Sequence, residues 1–297
     1  MPSTRKVALG AATAALLAGS AACGDAGGSG EGGGGQGSAA IDAVSLAAET
    51  TREVTSAEFV AIMRAPESMG GDMEMTGSMA WETELAMDLT VSGSVLEADP
   101  AAPEEVPVVW VDDVMYMELG EAFAAGSGGR TWVSFDPMAL AEEIGDESVA
   151  GTMSFGLDSA NQDPAQQLAL LLESPEIELV GEETLDGAEV SHYRGTVTTE
   201  DALGSGGADF LTEEERARLV DAMSEQGIDG YRLDVWVDEN DLPVRIHQTY
   251  STDQGPVEYE VAYRDFGTEV VVETPPAEET IDFMQLLQQL RTGLEQG

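Results

Sequence analysis

The sequence predicts an α+β domain built on a curled antiparallel β-sheet, and three features carry that reading. The stretch Met73–Val91 alternates at period two, with apolar residues at odd positions and Glu74, Ser78, Glu82, Glu84 and Asp88 at even ones; a sheet wet on one face produces this pattern. The second half is a run of strands joined by tight polar turns. A few short stretches with helical start and stop signals interrupt the strands, and this mixture points to α+β architecture on a single sheet.

Taken in order, the chain begins with Arg5 and Lys6 ahead of an apolar run, Val7–Ala18, too short to span a bilayer as a stable helix. Small residues follow from Gly19, and residues 1–22 read as a secretory signal peptide. Cys23 is the only cysteine, so no intramolecular disulfide forms. A lone cysteine at this place resembles the lipobox of bacterial lipoproteins, whose thiol takes diacylglycerol and becomes the mature N-terminus. Ser20 stands where that pattern usually has leucine. Residues 23–40 are mostly glycine and serine, a composition that buries nothing; they are expected to form a flexible tether spanning about 20–25 Å. One domain is expected over residues 41–297.

Within it, Ile41, Val44 and Leu46–Ala48 share one side of a predicted helix, followed by a strand at Ala57–Arg64 and the methionine-rich strands. Val106–Leu119 reads as a hairpin about Asp112-Asp113, and Thr131–Phe135 as another strand. Asp136-Pro137 and Asp163-Pro164 are helix openings, Asp capping and Pro taking the first helical position. The second of these helices carries Leu168, Leu170, Leu171 and Leu172. Ile177–Leu185 and Glu189–Thr199 flank Asp186-Gly187, a type I′ hairpin dipeptide. Asp201–Asp209 is a glycine-rich insertion expected to be mobile. Thr212–Glu215 is a capping box for a helix that Gly227 stops. Tyr231–Val237, Val244–Tyr250 and Val257–Phe266 form an antiparallel meander, Pro275-Pro276 breaks it, and Ile281–Leu290 is a final helix.

Leu179–Gly187 with His192-Tyr193, Leu233–Arg245, and Phe266-Gly267 with Pro275-Pro276 together resemble the LppX/LprG-type envelope lipoproteins of actinobacteria. More distantly they resemble the LolA/LolB-like fold. The resemblance covers roughly residues 175–280, with only element order agreeing before that. It implies a half-open antiparallel barrel closed by helices around a hydrophobic cavity for lipid acyl chains.

The residues that would line such a cavity are the odd-numbered Met73, Met75, Met79, Trp81, Leu85, Met87 and Leu89, faced by Tyr231, Leu233, Val235, Tyr259 and Val261 of the meander. Methionine suits this role, because its flexible thioether fills irregular or changing space. Catalytic machinery is not legible. Beyond the signal peptide the chain has no lysine, which excludes a P-loop, a Schiff-base lysine and a Ser-Lys dyad. It has no Gly-x-Ser-x-Gly elbow either. His192 and His247 lie in strand patterns without metal-ligand spacing, and Asp238, Asn240 and Asp241 read as a polar turn rather than a calcium loop. The reading is therefore of a non-enzyme without metal or cofactor. With 57 acidic residues against 12 basic ones, and a formal net charge of −45, nucleic acid is excluded as a partner by repulsion. Adsorption to anionic headgroups is disfavoured too, so membrane association rests on the Cys23 anchor. The expected partners are a lipid or other hydrophobic small molecule, the outer face of the cytoplasmic membrane, and an envelope transporter. The alternative is an interaction or sensor module of the same fold without lipid cargo.

Overall fold

The computed structural model describes residues 34–81, 85–98, 102–136, 139–140, 164–204 and 212–295. The expected signal peptide, Cys23, Pro137 and residues 205–209 of the expected insertion lie outside them. The chain runs α1 (Gly34–Arg52), β1 (Ser56–Arg64), β2 (Met73–Ala80), β3 (Ala86–Ser92), β4 (Glu105–Val111), β5 (Val114–Glu118), α2 (Gly120–Ala124) and β6 (Trp132–Phe135). It continues α3 (Pro164–Leu172), β7 (Glu178–Leu185), β8 (Ala188–Thr198), α4 (Thr199–Gly204), α5 (Glu213–Glu225), β9 (Gly230–Asp238), β10 (Pro243–Thr252), β11 (Gly255–Arg264), β12 (Thr280–Asp282) and α6 (Phe283–Glu295).

All twelve strands form one curled, unclosed sheet in the order β12-β6-β5-β4-β3-β2-β1-β11-β10-β9-β8-β7. The predicted fold class is the one observed, and most strands pair with sequence neighbours through tight turns. Asp112 and Asp113 both adopt positive φ (54° and 60°), as do Asp186 and Gly187 (52° and 91°), the geometry a two-residue hairpin with right-handed strand twist requires. The seam between β1 and β11 sets Phe59 opposite Tyr263 and Ala61 opposite Val261. It joins the two halves of the chain into one sheet.

The structure corrects the sequence reading at three places. The first helix starts at Gly34, not Ile41, so part of the expected tether is helical: Ala40 is buried there and packs in the core with Val44, Ala47 and Ala48. The expected insertion opens with α4, whose Leu203 is buried against Leu219 and Val220 of α5. The final helix starts at Phe283, because Thr280–Asp282 pairs instead with Trp132–Ser134. That pairing is parallel, the one exception to an otherwise antiparallel sheet. The Asp136 cap does form, its Oδ1 accepting the Ala139 N–H at 2.9 Å. No helix among the described residues is long and apolar enough to cross a membrane.

Candidate functional site

Strand alternation sorts the sheet into two faces. Across β2 and β3 the register sets Met79 opposite Met87, Gly77 opposite Leu89 and Met75 opposite Val91. The next pairs are Met87 with Trp110 and Leu89 with Val108, so one face carries thioethers, aliphatics and an indole across three strands. On the other side of the seam the same face carries Leu233, Val235, Ile246 and Val261, all essentially inaccessible to solvent. The helices α1 and α3 pack on each other and cover this face, α1 through Ala40, Val44, Ala47 and Ala48, α3 through Leu168 and Leu171. Small side chains along α1 let its backbone come close to the sheet.

Of the twelve residues nominated from sequence, eleven fall in this single cluster: Met75, Met79, Trp81, Leu85, Met87, Leu89, Tyr231, Leu233, Val235, Tyr259 and Val261. Met73 starts β2 opposite Met63, half-buried and outside it. Of the side of α1 expected from sequence, Val44, Ala47 and Ala48 are buried, whereas Ile41 and Leu46 are exposed; Ala40, which lies before the expected helix start, takes their place, and Ala40, Val44, Ala47 and Ala48 follow the i, i+4, i+7, i+8 rule.

Two polar features also escaped the sequence reading. Gln167 of α3 is buried, and its Oε1 accepts a 3.1 Å bond from Gln248 Nε2 of β10. Gln248 shares the apolar face, opposite Leu233 and Tyr259. Burial pushes the Tyr231 and Tyr259 hydroxyls up to about 12 and raises that of Tyr250, so all three stay neutral. The strand arginines Arg64, Arg194, Arg232, Arg245 and Arg264 alternate onto the opposite face. What this leaves among the described strands is an interior of apolar surface with neutral polar groups at the meander end.

The opposite face holds a densely bonded polar group. Asp234 is buried there; its Oδ1 accepts bonds from His192 Nε2 (2.6 Å) and Arg194 Nε (2.7 Å), and its Oδ2 from Arg232 Nε (3.0 Å). His192 stacks on Trp236 with ring centroids 4.3 Å apart, and its Nδ1 lies 2.9 Å from Glu183 Oε1. Trp236 Nε1 donates to the other Glu183 oxygen at 3.1 Å. Burial raises the Asp234 pKa, but the bonds from His192 and Arg194 and the charges of Arg194 and Arg232 outweigh it, and the carboxyl sits below its ordinary value. Hydrogen bonds from Trp236 and His192 lower that of Glu183. The group ties β7, β8 and β9 together. His192 is thus a partner-satisfied strand histidine. Asp238 closes the polar turn, accepting from the Asn240 and Leu242 amides at 2.9 Å each.

A separate cleft of about 230 Å³ lies beside the start of β7, lined by Ser174, Pro175, Glu176, Glu178, Arg194, Gly195 and Thr196. Its charged lining is unsuited to an acyl chain.

No family model matches the chain. The 31.2 kDa protein of the rplA–rplJ intergenic region of Streptomyces griseus is 30% identical over 222 residues, covering 73% of this chain and 71% of that protein. A putative lipoprotein of Streptomyces coelicolor is 29% identical over 219 residues, 72% of this chain and 66% of that protein. Among solved structures, the Mycobacterium tuberculosis lipoprotein LppX is similar at a TM-score of 0.48 and 12% identity, with 80% of this chain and 99% of LppX covered. LprF from Mycobacterium bovis is similar at 0.44 and 15%, with 81% and 98% covered.

Proposed function

The chain belongs to the family of the Streptomyces griseus 31.2 kDa protein, and from that premise we propose that it is a membrane-anchored, extracytoplasmic lipoprotein that carries lipid or acyl chains in the cell envelope. The observation that carries the reading is the inner face itself: one apolar cluster running across both halves of the sheet and roofed by α1 and α3. The lipoprotein name of the Streptomyces coelicolor relative supports the envelope placement. Exposing an acyl chain to water costs about 0.8 kcal/mol per methylene, on the order of 10 kcal/mol for a chain of ~14. An envelope therefore needs proteins that shield such chains in transit. A methionine-bearing wall accepts chains of varied shape, because thioethers repack at little cost. Neutral groups at the meander end, Gln248, Tyr231 and Tyr259, favour an uncharged polar head over a phosphate or carboxylate, which would need a cation. The protein binds cargo and turns nothing over.

Native mass spectrometry after mild extraction tests this directly, and co-purified lipid is the expected result. Met87 is buried in the cluster; Met87→Glu places a carboxylate there and should abolish binding of fluorescent fatty-acid ester analogues. If no lipid co-purifies, and wild type and variant bind the analogues alike, a sensor or interaction module replaces the carrier.

A further inference from the structure

The sheet is unclosed, and its two edges are guarded very differently. At one edge β12 is only three residues long and runs directly into α6; short edge strands offer little to pair with. At the other edge β7 has eight residues, six of them exposed, including Leu179 (51%) and Val180 (42%). Among the described residues no strand pairs with its outer side. In a two-residue hairpin the closing pair shares ladder bonds and every second pair follows suit. Leu185–Ala188 and Glu183–Val190 are such pairs, so the amides of Glu182 and Thr184 turn outward.

β7 contains no proline or lysine, the usual deterrents to edge pairing, and its guards are Glu178, Glu182 and Glu183. Carboxylates deter a second copy of the same strand, since two β7 edges would set acid against acid. They invite a strand carrying cations. The chain cannot supply that strand from its undescribed segments: beyond Arg5 and Lys6, residues 23–33, 82–84, 99–101, 137–138, 141–163, 205–211 and 296–297 contain no lysine, arginine or histidine. The cleft beside the start of β7 adds an independent feature. Glu176 and Glu178 line it beside Arg194, whose guanidinium stands 3.8 Å from Glu178, so two carboxylates share one resident cation and the 230 Å³ leaves room for one further long cationic side chain from a strand along the edge.

We propose that the free edge of β7 docks an extended, cationic segment of another protein, which joins the sheet as an added strand. Main-chain bonds to Glu182 and Thr184 would supply affinity, and the carboxylates and cleft would supply preference for lysine or arginine at alternate positions. The proposal is independent of lipid carriage, which uses the inner face of the sheet rather than its free edge.

The test uses the full mature chain and capped ten-residue peptides of alternating Lys-Val. Since an acidic protein attracts any polycation, a Lys-Pro peptide of equal charge is the control. The expected result is that Lys-Val binds at least about tenfold more tightly than Lys-Pro and protects the Glu182 and Thr184 amides from hydrogen exchange. Glu182→Pro removes one outward N–H without touching the β8 ladder and should weaken Lys-Val binding by about tenfold or more. Glu182→Lys alters only an exposed side chain, so it serves if the proline variant fails to fold; it should weaken Lys-Val binding and admit a Glu-Val peptide. Equal binding of the two cationic peptides, or indifference to both variants, overturns the proposal. So does peptide-free dimerisation that protects the same amides, which would assign the edge to a second copy.

Discussion

Asp234 shows how much one carboxylate organises. It is buried with His192 on the outer face of the sheet, and it holds His192, Arg194 and Arg232 together. Its pKa and that of Glu183 are both depressed, so the network contributes its full stability above the ordinary carboxylate range and loses it as pH falls through the lowered values. Asp234→Asn should cost about 2–3 kcal/mol at pH 7, since bonds from charged donors are lost while the two partly exposed arginines recover some hydration. Acidification also relieves repulsion among 57 acids, but that effect is common to wild type and variant and cancels in their difference. Urea titrations at several pH values should show the gap narrowing below about pH 4; a gap unchanged between pH 7 and pH 3 would remove Asp234 from this role.

Among the elements, β2 and β3 approach closely at Gly77. A Cβ on Gly77 would stand 2.2 Å from the Asp88 carbonyl oxygen and 2.6 Å from the Leu89 Cα, both backbone atoms. Gly77→Ala should therefore destabilise the protein by about 1–3 kcal/mol as the strands shift apart. Gly181 in β7 faces open space, and Gly181→Ala should change stability by only about 0.5 kcal/mol. Comparable losses in the two variants, read by thermal or chemical melts, would contradict this packing. The strands themselves were legible because alternation needs no tertiary information, and Asp112-Asp113 and Asp186-Gly187 fix their turns locally. Gly34–Ala39 was not legible: glycine and serine dominate there, and only burial of Ala40 beneath its neighbours explains a helix that propensity opposes. Thr280–Asp282 is too short to show a period, and Ile281 reads equally well as the first apolar residue of a helix. The inner face was found through its period of two. Gln167 and Gln248 were not, because an amide in a periodic pattern ordinarily marks a solvated position and only the fold turns these two inward.

At the scale of the molecule, the proposed anchor complements the charge. Beyond residue 22 the chain carries 57 acidic residues and ten arginines with no lysine, so its body is repelled by anionic headgroups and the proposed function leaves attachment to Cys23. Cys23→Ser should shift the protein from the detergent phase to the aqueous phase, or leave an uncleaved precursor; unchanged partitioning would sink the anchor. The seam between β1 and β11 has a further consequence, in time rather than space. Arg264 Nε meets Glu58 Oε2 across 206 positions of sequence, and the Gly267 amide closes on the Ser56 carbonyl at 2.9 Å. At synthesis rates of about 5–20 residues per second, β1 waits on the order of ten seconds or longer for its partner. Throughout that interval Phe59-Val60-Ala61-Ile62, central in the finished sheet, lies on an open edge of apolar, uncharged, proline-free sequence. The nascent chain is thus most prone to aggregate through a strand whose two edges the mature protein pairs, and a chain truncated before β11 would keep that hazard for good.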